Sequence, residues 1–287
     1  MSQDVRRLSP AQGGLFGWLV SYPKSGNTWM RIMLTSLRQG GVPIDIAEPI
    51  DSHILNRGEF EEHFGVESSD LTQAEMDAAR PELHRAIARA SKDPLILRKV
   101  HDRCWFTSSG ERAFPPEVSR GAVYIVRDPR DVAVSLAHFY GMDLEAAVGL
   151  MGDSARTIAR SSFRLTFQLS QPLGSWSEHV AGWLDDAAMP LLPIRYEDML
   201  ADSARELEKV ARFLGLPLEA CAQAAAASTF STLRGQEDQR GFRERMPATK
   251  RFFRQGRSGE GKEKLPTPLL ERIEAEHGAV MARLGYV

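Results

Sequence analysis

Four short runs of apolar residues recur along the chain, and each is nearly continuous rather than alternating with polar residues. They cover residues 15–20, 95–97, 122–126 and 191–194. Continuous apolar runs of this length are typical of strands that are buried on both faces. The pattern therefore predicts four strands in the interior of a sheet.

Stretches with helical spacing of apolar residues lie between these runs, at 28–37, 131–140, 176–187, 203–214 and 269–283. Strands that alternate with helices predict an α/β fold, with a central parallel sheet flanked by helices. Ligands of such sheets bind beyond the carboxyl ends of the strands. Because a polar cluster follows each of the four apolar runs, we expect the functional site at that edge of the sheet.

Two segments, 41–93 and 141–174, interrupt this alternation with glycine, proline and acidic residues. The first is expected to hold one helix, over 72–90, with Thr72 as its N-cap and Glu75 three residues later. The rest of the two segments is predicted to be irregular. Such excursions often carry substrate selectivity, so we interpret them as insertions in a single domain that spans residues 1–287.

The charge balance limits the classes of function. The chain has 287 residues, with 36 Lys and Arg against 38 Asp and Glu, hence a net charge of -2. This excludes nucleic-acid binding by bulk positive charge. An anionic ligand must therefore be held by locally clustered cations and backbone amides.

Cysteine usage and hydropathy favour a cytoplasmic protein. Cys104 and Cys221 lie far apart and form neither a disulfide framework nor a zinc-like spacing. Residues 1–7 contain two arginines without a following apolar stretch, and no run approaches 18 apolar residues. The sequence thus predicts neither secretion nor a membrane span.

Residues 22–29, Tyr-Pro-Lys-Ser-Gly-Asn-Thr-Trp, follow the first predicted strand and open the first predicted helix. The unpaired N–H groups and the dipole of a helix start favour an anion there, and Lys24 adds a positive charge. An ordinary strand-to-helix turn capped by Thr28 is the alternative interpretation. Lys24 precedes Gly26 and the chain has no Gly-Lys-Ser/Thr, so the loop is not a Walker A loop, and ATP with magnesium is disfavoured.

This loop resembles the 5′-phosphosulfate loop of cytosolic-type sulfotransferases, which use 3′-phosphoadenosine 5′-phosphosulfate (PAPS). Further segments resemble that family in its own order, from residue 15 to about 265. They are 99–101 (Lys-Val-His), 127–135 (Arg-Asp-Pro-Arg-Asp-Val-Ala-Val-Ser), 174–183, 196–199 (Tyr-Glu-Asp-Met) and 252–262. The resemblance implies a P-loop-like sulfotransferase fold.

The resemblance also implies roles for individual residues. The 5′-phosphate would be bound by the loop residues Ser25, Gly26, Asn27 and Thr28. Lys24, which would also contact the nucleotide, would lie at the oxygen that bridges sulfur and phosphorus. Where this chain has Asn27, the family often has Thr. His101 would be the general base and Lys99 would support the sulfate, whereas His138 and His179 are interpreted as packing or polar-network residues.

The remaining expected contacts are with the rest of the nucleotide. The 3′-phosphate would be bound by Arg127, Ser135, Arg254 and Gly256. The adenine would lie between Trp29 and Phe230, with polar contacts from Tyr196 and Ser228. A helix-start ion pair between Arg127 and Asp131 is the alternative for Arg127, and Arg130 is predicted to be a surface residue.

The C-terminal part departs from the family pattern. The basic run 250–264, which includes Lys250, has Gln255 in place of a lysine and Gly261 in place of a tryptophan. Arg257 is a candidate to compensate for Gln255. The dimer motif is degraded, with Pro266 and Thr267 in place of Thr-Val, so that dimer is not predicted.

Together these features predict a metal-free, PAPS-dependent sulfotransferase that acts on a hydroxyl of a small molecule and releases adenosine 3′,5′-bisphosphate (3′,5′-ADP). No motif identifies the acceptor. A nucleotide-dependent kinase and a non-catalytic nucleotide-binding protein are the alternatives. The missing Gly-Lys-Ser/Thr disfavours the kinase, and the presence of Lys24, Lys99 and His101 disfavours the non-catalytic protein.

Overall fold

The structure is a computed structural model that describes residues 13–48, 50, 52–160, 165–246, 249 and 251–287. Residues 1–7 and Lys250, which entered the sequence analysis, lie outside the described residues. The strands are β1 (Leu15–Ser21), β2 (Leu95–Val100), β3 (Ser119–Val126), β4 (Thr157–Ile158), β5 (Gln171–Pro172) and β6 (Leu191–Arg195). The main sheet has the order β2-β1-β3-β6 with all three pairings parallel, and β4 and β5 form a small antiparallel pair. All four predicted strands are confirmed.

The helices lie on both sides of this sheet. They are α1 (Asn27–Arg38), α2 (Arg57–Phe64), α3 (Gln73–Ala90), α4 (Pro129–Tyr140), α5 (Leu144–Gly152), α6 (Trp176–Asp186), α7 (Tyr196–Ala201), α8 (Ser203–Leu214), α9 (Cys221–Ala227), α10 (Phe230–Arg240), α11 (Glu260–Lys264) and α12 (Thr267–Arg283). The α/β architecture with a parallel sheet between helices is the predicted one.

The strand β1 shows why its apolar run is continuous. Successive side chains of a strand point to opposite faces. Phe16 and Trp18 pack with α3, α4 and α6 on one face, whereas Leu19 packs with α1, α8 and α9 on the other. All three side chains are fully buried, because each face of the sheet is covered by helices.

The two segments that interrupt the alternation are more regular than predicted. The Thr72 capping box of α3 is confirmed, with the Thr72 N–H donating to Glu75 Oε2 at 2.7 Å. The prediction of a single helix in 41–93 is wrong, because α2 precedes α3. Only Phe60 is buried in α2, so the sequence has no helical apolar period there. Residues 141–174 contain α5, whose Gly149 and Gly152 conceal it in the sequence.

The same two segments pack against each other beside β2. The N–H of Arg57 donates to the carbonyl of Phe167 at 3.0 Å, and Arg80 Nη2 donates to the carbonyl of Ser170 at 2.8 Å. Ile54 forms an isolated parallel bridge with Lys99 near the end of β2. Both segments therefore reach the carboxyl edge of the sheet. In the ranges that the structure describes, no helix is sufficiently long and apolar for a membrane crossing.

Candidate active site

The loop between β1 and α1 has the strand–loop–helix arrangement that the sequence predicts. Two of its residues have left-handed backbones, Lys24 with φ 72° and Gly26 with φ 104°. Gly26 is required twice over, because its backbone favours glycine and an added Cβ would lie 2.7 Å from Cδ2 of Tyr196. The buried hydroxyl of Ser25 has no hydrogen-bond partner among the described residues. The start of α1 therefore offers backbone and hydroxyl donors to an anion.

Asn27 and Thr28 begin α1, and their side chains have different hydrogen-bond partners. The Asn27 amide donates from Nδ2 to the carbonyl of Leu19 at 2.8 Å and is 4% exposed. It ties the first turn of α1 to β1, so the side chain has a structural partner and its backbone N–H is the group available to a phosphate. Thr28 donates from Oγ1 to Oε2 of Glu244 at 3.1 Å.

The ammonium group of Lys24 lies between two aromatic rings, 4.1 Å from the centroid of Phe139 and 4.0 Å from that of Phe252. Burial, followed by the charges of Lys99 and Arg127, lowers the pKa of Lys24 to about 7. Desolvation and neighbouring cations both disfavour an ammonium group. An anion placed among these cations would restore the charged form.

His101 follows β2 directly and is held by the strand beside it. Its Nδ1 is 2.7 Å from the carbonyl oxygen of Ser21. Since a carbonyl only accepts, Nδ1 carries the proton, and Nε2 has the lone pair that can accept another. Burial and the charge of Lys99 lower the pKa of His101 to about 3, so the ring is neutral at pH 7.

A buried chain of two hydrogen bonds through His179 holds the backbone of His101. His179 donates from Nε2 to the carbonyl of His101 at 3.1 Å, and its Nδ1 accepts from the Tyr124 hydroxyl at 2.7 Å. His179 is fully buried. These contacts agree with the interpretation of His179 as a packing or polar-network residue, and so does the contact of His138, whose Nε2 lies 3.0 Å from the carbonyl oxygen of Arg251.

Sequence reasoning missed two residues at the centre of the site, Arg31 and Glu244. Lys99 donates from Nζ to Glu244 Oε2 at 3.2 Å, and Arg31 donates from Nη1 to Glu244 Oε1 at 2.6 Å. Glu244 stands between two arginines in the sequence, a pattern that is typical of a solvated surface. Only contact with residues more than 140 positions away reveals it.

Arg127, at the end of β3, lies against the phosphate loop. Its Nη1 donates to the carbonyl of Lys24 at 3.3 Å, and its guanidinium carbon is 4.4 Å from the ring centroid of Tyr196. The alternative pair with Asp131 is also present, at 3.7 Å. The Nε of Arg127 is buried and has no partner among the described residues. Ser135 is half-buried, one turn beyond Asp131 on α4.

The residues expected around the adenine lie on neighbouring elements. Trp29 donates from Nε1 to the carbonyl of Ser228 at 2.8 Å, and its ring centroid is 6.1 Å from that of Tyr196. The buried Ser228 hydroxyl has no partner among the described residues. Phe230 begins α10 and packs under Gly256, where an added Cβ would lie 2.4 Å from the Phe230 ring.

The C-terminal segment is fastened to α4 by an aspartate. Asp131 accepts from the N–H groups of Gly259 at 2.9 Å and Gly261 at 2.6 Å. Arg254, which was expected at the 3′-phosphate, forms a bidentate pair with Glu260, with Nη1–Oε1 at 2.5 Å. The segment is therefore positioned beside Arg127, and Arg254 carries a carboxylate partner there.

Arg257 and Arg130 have carboxylate partners that the sequence did not predict. Arg257 pairs with Glu263, with Nη2–Oε2 at 2.5 Å, so its guanidinium points to a partner within the same segment. The prediction that Arg130 is a surface residue is wrong. Arg130 is 4% exposed and donates to the Asp128 carboxylate and to the carbonyl of Tyr286, both at 2.7 Å from Nη2. Docking of the C-terminus over α4 buries it.

The structure thus brings the residues expected on the sulfate and the two phosphates to one edge of the sheet. Lys24, Lys99 and His101 form one cluster at the ends of β1 and β2, and Arg127 joins it from β3. In the part of the chain that the structure describes, no group of three or more His, Cys, Asp or Glu side chains could hold a metal ion. The expectation of metal-free chemistry stays a prediction.

Comparison with known proteins shows that the chain is similar to sulfotransferases. The sequence model of the sulfotransferase domain matches residues 17–285. Dog sulfotransferase 1A1 is 26% identical over 277 residues, which cover 92% of this chain and 83% of that protein. Human sulfotransferase 2B1 is 27% identical over 228 residues, 76% of this chain, and the match spans about half of its length, 51%.

Solved structures show the same fold. A mouse sulfotransferase complexed with PAP superimposes with a TM-score of 0.56 at 20% identity, covering 93% of this chain and 84% of that one. Retinol dehydratase in complex with androsterone and PAP gives a TM-score of 0.56 at 18% identity, with coverages of 96% and 82%. Because the model of the sulfotransferase domain matches nearly the whole chain, residues 17–285, the chain belongs to the sulfotransferase domain family.

Proposed function

We propose that this protein transfers the sulfuryl group of PAPS to a hydroxyl of a small-molecule acceptor, with His101 as the general base. The observation that carries the proposal is the cluster at the ends of β1 and β2. There an ammonium group, a second lysine and a neutral histidine with a defined acceptor nitrogen lie together.

The chain's unsatisfied groups fit a bound nucleotide. Four buried polar atoms near the loop have no partner among the described residues, and three of them, Ser25 Oγ, Ser228 Oγ and Arg127 Nε, are donors; the fourth, Asn27 Oδ1, only accepts. Buried polar atoms are normally hydrogen-bonded, and a PAPS molecule would supply acceptors along this edge. In the proposal the 5′-phosphate binds Ser25, Gly26, Asn27 and Thr28, in the last two cases through the helix start.

The 3′-phosphate and the adenine would extend toward the C-terminal segment. Arg127, Ser135 and Gly256 are proposed for the 3′-phosphate, and a guanidinium suits a dianion through paired N–H groups. Arg254 joins them when it exchanges Glu260 for the phosphate. Trp29 and Phe230 are proposed to enclose the adenine, with Tyr196 and Ser228 as its polar contacts.

The transfer itself requires little more than positioning and charge compensation. The acceptor oxygen forms a bond to sulfur while the bond between sulfur and the bridging oxygen breaks. The acceptor's proton passes to Nε2 of His101, and the electron pair of the broken bond remains on the released phosphate of 3′,5′-ADP. Lys24 compensates that charge, and Lys99 supports the sulfate.

The acceptor is proposed to enter between the two segments 41–93 and 141–174. They contact each other, and Ile54 pairs with Lys99 two residues before His101. Retinol dehydratase binds androsterone in one related structure and retinol in another, which supports a small hydroxyl compound as the acceptor class. We further propose that residues 1–287 form one domain, as the packing of α12 on α4 and α6 suggests.

Binding of 3′,5′-ADP, followed by a transfer assay, tests the proposal. Isothermal titration should show one 3′,5′-ADP per chain, and radiolabelled PAPS should label members of a panel of phenols, sterols and sugars. ATP with magnesium should yield no phosphorylated product. A chain that does not bind 3′,5′-ADP, or that phosphorylates the panel from ATP, would overturn the assignment. Binding without transfer would favour a nucleotide-binding protein.

A further inference from the structure

The carboxylate of Glu244 lies at the centre of the cation cluster, although its segment is far away in sequence. It accepts from Arg31 at 2.6 Å, from Thr28 at 3.1 Å and from Lys99 at 3.2 Å. The segment 241–246 follows α10, whose C-cap is Gly241 with φ 78°. A short turn therefore carries one acidic side chain into the site.

The three side chains that donate to Glu244 come from two elements, the helix α1 and the strand β2. Thr28 lies in the first turn of α1, Arg31 lies one turn further along, and Lys99 stands at the end of β2. Arg31 is buried, with 3% of its side chain exposed, whereas 29% of the Glu244 side chain is exposed. Donors that converge on one oxyanion are suited to another of similar charge, and phosphate and sulfate oxygens accept the same bonds as a carboxylate.

Electrostatics explains why an anion is held there. Lys99 and Arg31 place two cationic side chains on the same carboxylate in a largely desolvated site, and Lys99 also lies near enough to Lys24 to lower the pKa of Lys24. Without a counter-charge they would repel one another. Although burial opposes it, the charges of Lys99 and Arg31 hold the pKa of Glu244 well below its usual range. The carboxylate is therefore ionised at neutral pH and offsets part of the positive charge of the cluster.

We propose that Glu244 is an internal anion that occupies the phosphosulfate subsite until PAPS displaces it, and that Arg31 is a further cation of that subsite. This inference rests on the proposed function. On binding, the donors of Arg31, Lys99 and Thr28 pass from the carboxylate to the oxygens of the 5′-phosphosulfate. The segment 241–246 moves out, and the positive cluster exchanges one counter-charge for another.

Displacement reduces the apparent affinity, because the nucleotide binds only the fraction of molecules in which Glu244 has left. Glu244→Gln keeps the shape of the side chain and removes its charge. We expect it to tighten binding of 3′,5′-ADP by about ten-fold or more. Binding of adenosine 3′-monophosphate, which lacks the 5′-phosphate, should change less than about two-fold, since that ligand does not compete with the carboxylate.

The Glu244→Gln substitution, which is expected to strengthen binding of 3′,5′-ADP, should lower the stability of the protein without ligand. Loss of the Glu244 charge removes a favourable partner from the buried side chains of Arg31 and Lys99, which is destabilising, so the melting temperature without ligand should fall. Saturating 3′,5′-ADP should then raise it more than in the unsubstituted protein. Glu208→Gln, an equal change of charge at an exposed position of α8, is the control, and neither quantity should move.

The role of Arg31 is tested in the Glu244→Gln background, where its partner is already neutral. There Arg31→Lys should weaken 3′,5′-ADP binding by about ten-fold, the value of one lost charge-assisted bond. Binding of adenosine 3′-monophosphate should be unaffected. An equal loss for both ligands would mean that Arg31 only supports residues 50 and 52, to which it also donates.

The outcomes separate this inference from the proposed function. If the unsubstituted protein does not bind 3′,5′-ADP, the proposed function fails. If it binds 3′,5′-ADP and Glu244→Gln binds it equally or more weakly, the function stands and the displacement is overturned. A Gln variant that tightens both nucleotides equally would show general opening of the site and would also overturn it.

Discussion

Lys24 illustrates how position alone changes the chemistry of a common side chain. Its left-handed backbone directs the ammonium group between Phe139 and Phe252, and burial with nearby cations lowers its pKa to about 7. A lysine in water has a pKa near 10.4. Near pH 7 the ligand-free site therefore holds Lys24 in a mixture of charged and neutral forms, and an anion shifts it to the charged form.

Binding of 3′,5′-ADP should consequently take up a proton. Above pH 7 the free protein contains mostly neutral Lys24, and the phosphate raises the pKa of Lys24 again. At pH 8.5 we expect uptake of about one proton per site and an affinity that declines as the pH rises. Isothermal titration in buffers of different ionisation enthalpy measures the uptake.

Lys24→Arg is the matched control for this proton, because arginine stays charged at every accessible pH. The variant should bind 3′,5′-ADP without Lys24-linked uptake. Equal uptake by both proteins would show that the proton goes to another group.

His101 is the residue on which turnover depends most directly. We expect His101→Ala to lower the rate of transfer by about 10²- to 10⁴-fold, as for loss of a general base, while 3′,5′-ADP still binds. His63→Ala on α2 is a control histidine. Unchanged turnover in the His101 variant would eliminate it as the base.

The pH profile gives the sign of the same effect. His101 acts in its neutral form, and its pKa in the free protein is lowered to about 3. A bound anion raises that pKa. The rate should therefore fall on the acid side, as pH drops through the raised pKa of the complex, and His101→Ala should lose this limb.

At the scale of elements, α11 and α4 form the contact that places the C-terminal segment. Gly261 packs directly on α4, where an added Cβ would lie 2.3 Å from the carbonyl carbon of Arg130. The N–H of Gly261 also donates to Asp131, which in turn faces Arg127. The glycine that stands where the family has tryptophan thus permits close approach of two helices.

Gly261→Ala should separate α11 from α4. Because backbone atoms of Arg130 block the methyl group, we expect a loss of about 1–3 kcal/mol in the free energy of unfolding and weaker 3′,5′-ADP binding. Denaturant titration measures the first quantity.

Gly278→Ala supplies the comparison, since Gly278 lies inside α12 with nothing within 4 Å of an added Cβ. It should stabilise the protein by up to about 1 kcal/mol. Equal effects of the two substitutions would contradict the close packing of α11 on α4.

At the scale of the whole molecule, the position of the positive charges matters more than their total number. The net charge is only -2, yet Lys24, Lys99 and Arg127 converge at the ends of three adjacent strands. Many other cations among the described residues also have a carboxylate partner close by, as in the pairs of Arg130 with Asp128 and Arg254 with Glu260. Selective anion binding therefore comes from placement at the edge of the sheet.

Binding of 3′,5′-ADP should stabilise the whole fold, because the cations that hold the ligand meet only in the folded protein. At 100 times its dissociation constant, 3′,5′-ADP should add about 2.7 kcal/mol, a rise of roughly 4–5 °C in melting temperature for a chain of this size. Adenosine, which lacks both phosphates, should give little shift. An equal shift with adenosine would show that the phosphates contribute little to binding.

Local patterns were sufficient for much of this protein. Four continuous apolar runs predicted the parallel sheet, and the order of strand, loop and helix predicted the anion site at residues 22–29. These features depend on neighbours in sequence, since burial on both faces requires a continuous apolar strand and a helix start exposes its own N–H groups. The expected positions of Lys24, Lys99 and His101 followed from the ends of those strands.

The tertiary structure alone decided which polar groups meet. Glu244 contacts Thr28 across 216 positions, Arg130 is buried by Tyr286 across 156, and Asn27 turns inward to β1. The first two contacts have no periodic or local pattern, because each results from how a loop or the C-terminus packs over the sheet. The sequence by itself predicted where an anion would bind, and packing determined which side chains lie there.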